Sequence, residues 1–256
     1  MTRLLALVLV GLCASACAVQ PEPPALVIAG EGAYADVMEA MGSPPLDDAL
    51  ASRLANQRLY GGGRGGALGP MRVRKATNHG CANLVIHVAP AAVLQPFAAY
   101  SRPAEFYPLE RWPTGRDEVL RQASEAIGVK GDDSTPVVEQ LWRFKVPDRD
   151  WSFVLAILHS AGDWEKTATG EIGDIDALFL FRESGGTLTL LDKIVWVVET
   201  DDGWRVLPEP MALATNPFDG RIELFVQYRF YEGYQVTVFD IGDGRLQSRG
   251  GAVCSF

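Results

Sequence analysis

From Trp151 to the C-terminus the chain repeats one pattern, an apolar run rich in β-branched and aromatic residues followed by a turn. WSFVLAILHS, ALFLFRE, TLTLLDKIVWVVET, WRVLP, RIELFVQYRFYE, YQVTVFDI and RLQSRG succeed one another. The separators are Ser184-Gly185-Gly186, Asp201-Asp202-Gly203, Glu232-Gly233 and Gly242-Asp243-Gly244. Runs this short, joined by glycine-bearing turns, bring each strand back beside the one before it. The spacing predicts an antiparallel β-rich meander over 151–256.

The preceding segment, 26–150, reads as a mixed α/β part. AYADVMEAM (33–41) is compatible with a short helix ending at Gly42. LDDALASRLANQRLY carries Leu46, Leu50 and Leu54 at helical spacing, with Asp47 and Asp48 in the first turn and Gly61 as its stop. GGGRGGALGP reads as a flexible, turn-rich loop before a hairpin made of MRVRKAT and CANLVIHVA. Residues 89–116, with five prolines, read as loop. Val119, Leu120, Ala123 and Ile127 share one helical face before Gly128, so a further helix is expected over 117–127. PVVEQLWRF is open between helix and strand. The fold class expected is therefore α+β, a few short helices and a hairpin followed by the β-rich half, in one domain or two.

The N-terminus has its own logic. One positive charge at Arg3 is followed by the uncharged run LLALVLVGL, too short to span a bilayer before the prolines begin at Pro21. Ala14, Ser15 and Ala16 satisfy the small-x-small rule for cleavage before Cys17, giving a signal peptide over 1–16 and a proline-containing tether over 17–25. ASAC followed by such a tether resembles the lipobox of bacterial lipoproteins. That resemblance implies lipidation of Cys17, anchorage on the periplasmic face of a bacterial membrane and a place in the cell envelope. The same bond also suits ordinary signal peptidase, which would release a soluble periplasmic or secreted protein. Cysteine parity bears on the choice: with Cys13 removed and Cys17 acylated, Cys81 and Cys254 remain, either as a disulfide in an oxidising compartment or as two separate thiols.

Charge and motifs mostly exclude. A net charge of -9 without a basic tract argues against nucleic acid or an anionic lipid surface as partner. GEGAYA (30–35) places Glu31 where a pyrophosphate would sit, so no dinucleotide cofactor is expected there. His79, His87 and His159 fall in no metal-ligand spacing, and no G-x-S-x-G or H-E-x-x-H occurs. No cofactor and no catalytic residue is assigned.

Acidic turns supply the remaining candidates. D-G-R-x-E-L at 219–224, followed by a strand and Tyr231-Glu232-Gly233-Tyr234, resembles a degenerate FG-GAP (integrin-type) repeat. The resemblance implies calcium ligation by Asp219 and Glu223, with Thr215 and Pro217 standing at the first two ligand positions. Asp174 and Asp176 form a fainter echo. Tryptophans 112, 142, 151, 164, 196 and 204, with Tyr228, Phe230, Tyr231 and Tyr234, would suit either core packing or contact with an envelope glycan or protein. The function expected is a lipid-anchored envelope protein with a non-catalytic binding or accessory role. The alternative is a hydrolase of cell-wall or glycan material using Asp174 with Asp176, or Asp219 with Glu223, as a carboxylate pair.

Overall fold

The computed structural model describes residues 27–31, 34–37, 39–40, 52, 54, 57–78, 84–89, 96–128, 136–160, 174–198, 205–230 and 233–255. Strands β1 (Val27–Glu31), β2 (Tyr34–Val37), β3 (Glu39–Ala40), β4 (Arg58–Gly63), β5 (Gly66–Asn78), β6 (Leu84–Ala89) and β7 (Phe97–Tyr100) come first. They are followed by β8 (Glu105–Tyr107), β9 (Glu110–Arg111), helix α1 (Arg116–Ile127), β10 (Pro136–Phe144), β11 (Ser152–Ser160), β12 (Ile175–Ser184) and β13 (Thr187–Val197). The chain ends with β14 (Leu207–Thr215), β15 (Ile222–Phe230), β16 (Gly233–Asp240) and β17 (Gln247–Ser255).

The protein is therefore predominantly β, and the α+β expectation is corrected. Within AYADVMEAM, Tyr34–Val37 and Glu39–Ala40 are strands β2 and β3, because β1 and β6 offer β2 a backbone partner on either side. A nine-residue segment with a weak apolar stripe gains less from an isolated helix than from such a ladder. Of the helix expected at LDDALASRLANQRLY, Ser52 and Leu54 are helical, but Arg58, Leu59 and Tyr60 already belong to β4. PVVEQLWRF is strand. The proline-rich stretch 89–116 contains three short strands, and two of them, β8 and β9, are sheet edges, where missing N–H groups are tolerated.

Strands β1-β2-β6-β5-β4-β7 close into an antiparallel barrel, β7 pairing back onto β1. The glycine tract is part of its wall. Gly61, Gly62 and Gly63 pair with Ala99, Ala98 and Phe97, so they are strand rather than loop. A Cβ on Gly62 would lie 2.1 Å from Phe106 Cγ, and one on Gly61 would lie 2.0 Å from Met71 Cε. The neighbours occupy the room these residues leave, which is why side chains are missing there.

Two further sheets follow, in orders β13-β12-β11-β10-β9 and β3-β17-β16-β15-β14-β8, all pairs antiparallel. The meander expected over 151–256 is thus split between two sheets, with β10 added to the first. Gly185 and Gly186, at φ 56° and 82°, close the β12–β13 hairpin through the left-handed pair that a two-residue turn requires.

The layers stack as barrel, second sheet, first sheet, helix. Phe153, Leu155 and Ile157 face Leu224, Val226 and Tyr228 across the sandwich. Val154, Ala156 and Leu158, on the other side of β11, meet Val119 and Ala123 of α1. The second sheet repeats the arrangement, turning Phe225, Ala212 and Val238 toward Ala29, Ala98 and Tyr100 of the barrel. Strands covered on both faces read as continuous apolar runs, as WSFVLAILHS does. Gly128, at φ 76°, ends α1 by donating its N–H to Ser124 O (3.0 Å). Among the described residues no helix is long and apolar enough to cross a membrane.

Candidate functional site

The acidic residues singled out from sequence lie in two separate places. Asp176 opens β12, opposite His159 on one side and Trp196 on the other. It is 2 % exposed and accepts hydrogen bonds from Arg205 Nη2 (2.9 Å) and from the backbone N–H of Val206 (3.0 Å). Asp174 lies just before the strand, its carbonyl accepting from Val198 N–H (2.9 Å). Asp176 thus ties β12 to the segment entering β14. Its neighbour His159 is buried, and that burial pushes the imidazole below its ordinary value against the opposing pull of Glu139, whose Oε2 is 3.6 Å from Nδ1.

Asp219 and Glu223 flank the turn between β14 and β15. Glu223 is 2 % exposed, and its carboxylate accepts from Tyr100 Oη–H (2.7 Å) and Asn216 Nδ2–H (2.8 Å). Asp219 instead turns to Arg249 Nη2 (3.1 Å) and to the N–H of Arg221 (3.2 Å). One carboxylate is held by neutral donors from the barrel and the turn, the other by a guanidinium of β17. Among the described residues, no group of three or more His, Cys, Asp and Glu side chains stands where a metal ion could be held.

Burial is the largest influence on Glu223 and raises its pKa above the ordinary 4.5, with Asn216 and Tyr100 pulling the other way, Asp219 raising it and Arg249 lowering it. The folded state therefore holds the proton at pH values where the unfolded chain has lost it. That stabilisation is complete below the unfolded value and is lost as pH rises through the folded one. Glu223→Gln keeps the bond from Asn216 through its oxygen, while its N–H₂ donates to Tyr100 Oη, which can accept. The variant is expected to gain stability relative to wild type as pH rises from the ordinary 4.5 through the raised folded value. Urea melts at several pH values check this; curves that stay parallel would refute the assignment.

The feature that sequence reasoning missed is a cleft of about 460 Å³ at the open edge of the sandwich. Edge strand β13 contributes Ile194 and Trp196, and β15 and β16 contribute Tyr228 and Phe239. Trp196 and Tyr228 meet edge to face, ring centroids 5.0 Å apart. The polar side is built by Gln235 and Thr237, with Gln235 Nε2 donating to Thr237 Oγ1 (3.2 Å). Ser248, Gly250 and Gly251 of β17 complete the rim. Below, the β16–β17 turn is pinned to β13, where Leu246 N–H donates to Asp192 Oδ2 (2.8 Å).

Tyr228 is the unusual member. It is 5 % exposed, and its hydroxyl oxygen is buried with no hydrogen-bond partner among the described residues. A buried polar group left unpaired costs about 1–3 kcal/mol, so such an atom needs a reason. Burial alone pushes its phenol well above the ordinary value of 10, so the hydroxyl keeps its proton and stays a donor. The aromatic inventory of the sequence contained both Trp196 and Tyr228, but only the fold distinguishes an unpaired hydroxyl from a satisfied one.

The other sequence candidates are scattered. Gly30 and Glu31 end β1 and Tyr34 begins β2, so GEGAYA is a hairpin segment and not a strand-to-helix phosphate turn. His87 lies on β6 opposite Tyr34 and Lys75. Cys254 lies on β17 opposite Tyr234. Cys17, Cys81 and His79 fall outside the described residues, and with them the lipidation site and the Cys81–Cys254 pairing. No protein-family model, curated protein or solved structure matches the chain.

Proposed function

We propose that this chain is an exported envelope protein, anchored by lipid at Cys17, whose sandwich carries a non-catalytic binding site in the cleft beside Trp196 and Tyr228. The leader, the ASAC sequence and the proline-containing tether support the location. The observation that carries the role is the makeup of the cleft wall: aromatic and aliphatic surface, a few neutral polar groups and, among the described residues, neither an Asp, Glu or His nor a Lys or Arg in its lining. Such a wall can hold a molecule but offers no general acid or base working near neutral pH.

The hydrolase reading finds less support. Asp176 is neutralised by Arg205 and Glu223 is occupied by Tyr100 and Asn216, so both serve as structural ties, and none of the four acidic candidates lines the cleft.

The location is tested by the intact mass of protein extracted from membranes with detergent, with and without reduction. A chain beginning at Cys17 and carrying acyl groups is expected, gaining two hydrogens on reduction if Cys81 and Cys254 are bridged. Two or more acyl chains suffice for stable anchorage, so Cys17→Ser should abolish both the added mass and the membrane association. An unmodified wild-type chain in the soluble fraction would sink the anchor.

A further inference from the structure

We propose that the outer edge of β13 is a strand-addition site for a second copy of this chain, held closed by the side-chain amide of Gln122. Among the described residues β13 has a strand on one side only, β12, and forms the end of its sheet. An edge of 11 residues offers N–H and C=O groups to any other strand that comes beside it. Two of those groups are taken. Leu190 N–H donates to Gln122 Oε1 (3.2 Å), and Gln122 Nε2 donates to Leu188 O (3.0 Å). The amide thus stands where a neighbouring strand would, supplying one acceptor and one donor. Its Nε2 also donates to Glu118 Oε1 (2.6 Å), one turn earlier on α1, so both of its hydrogens are used and its orientation is set.

The two groups that Gln122 holds are complementary to each other, and that selects the occupant. In a strand the N–H and C=O of one residue point to the same side, so Leu188 and Leu190 both direct their backbone groups outward. Two copies of β13 laid antiparallel about a two-fold axis at Thr189 set Leu188 of one copy opposite Leu190 of the other. Each such pair exchanges both of its hydrogen bonds, and the axis makes the pair twice. The side chains agree with this register. Thr189 is exposed and meets its own copy, a favourable cross-strand pair, while Thr187 meets Leu191. No charged residue lies between Thr187 and Leu191, so no like charges are brought together there. Leu188 and Leu190 keep their places against the apolar cluster of α1, because the helix stands on the face of the sheet and the amide reaches over to its edge.

Sedimentation equilibrium of the full mature chain carrying Cys17→Ser, which leaves no site for an acyl group, tests the assignment over about 1–100 µM, the range of modest affinities. Gln122→Ala keeps a strong helix former in α1 and frees both backbone groups. The variant is expected to form a dimer at least about tenfold more tightly than the Gln122 protein, which must break two hydrogen bonds before it can pair. Adding Thr189→Lys places two ammonium groups opposite each other at the axis and should return association to the level of the Gln122 protein. Amide hydrogen exchange gives the second readout. Peptides covering 187–191 should lose protection in dilute Gln122→Ala and regain it as concentration rises. A Gln122→Ala protein that associates no more tightly than the Gln122 protein overturns the edge as a self-pairing site. Association that survives Thr189→Lys, or that leaves exchange over 187–191 unchanged, runs through another surface and overturns it equally.

Discussion

Arg205→Ala is expected to cost about 3–5 kcal/mol of folding stability, the usual effect of removing one member of a buried ion pair. Arg205 is 6 % exposed and Asp176 2 %, and their charged groups meet at 2.9 Å. Loss of the arginine strands a carboxylate in the interior, with only the Val206 N–H left on it from the contacts described above. The effect should be undone by removing both charges. Asp176→Leu with Arg205→Met replaces the pair by apolar side chains of comparable volume, a change that is often neutral or stabilising. Urea denaturation of the three proteins separates the terms. A single variant within 1 kcal/mol of wild type would mean that Asp176 is solvated in solution and does not tie β12 to β14.

Phe225→Ala should be comparably damaging, at about 3–5 kcal/mol, because a fully buried ring is removed from a contact that cannot collapse. Phe225 points from the second sheet toward the barrel, where its ring meets Tyr100 edge-on at a centroid distance of 5.9 Å. The cavity would open between two layers, each held by its own ladder of hydrogen bonds, so neither can move to fill it. Tyr100 would lose a neighbour while still donating to Glu223, and the damage should therefore include the hydrogen bond that orients the β14–β15 turn. Val137→Ala is the comparison, a truncation of an exposed side chain expected to stay within about 0.5 kcal/mol. Thermal and urea melts that give the two variants equal stability would contradict the layered packing.

How far the fold could be read depended on whether its causes were local. Helix α1 is written in a dozen residues, through the apolar period of Val119 and Ala123 and the stop at Gly128. The strands after Trp151 are likewise announced by their turns. Their division into two sheets is not, because burial on both faces removes the polar alternation that would have told inside from outside. The glycines at 61–63 look like a loop in isolation and become strand only because Met71 and Phe106 lie against them. The same holds for the site. Asp176 and Arg205 are 29 residues apart, and nothing between them marks the pair. Tyr228 is one tyrosine among several until its buried hydroxyl is found without a partner among the described residues.

The central hairpin of β11 and β12 has a consequence for the life of the chain before it is folded. One of its faces is covered by α1, which precedes it, and the other by β15 and β16, which are synthesised after it. Until the last strands arrive, Phe153, Leu155, Leu178 and Leu180 form an uncovered apolar surface on a strand pair with high aggregation tendency. The contacts that hide it are long-range, so the ribosome must release most of the protein before shelter exists. A chaperone that grips extended apolar segments should hold this hairpin first and let go of it last.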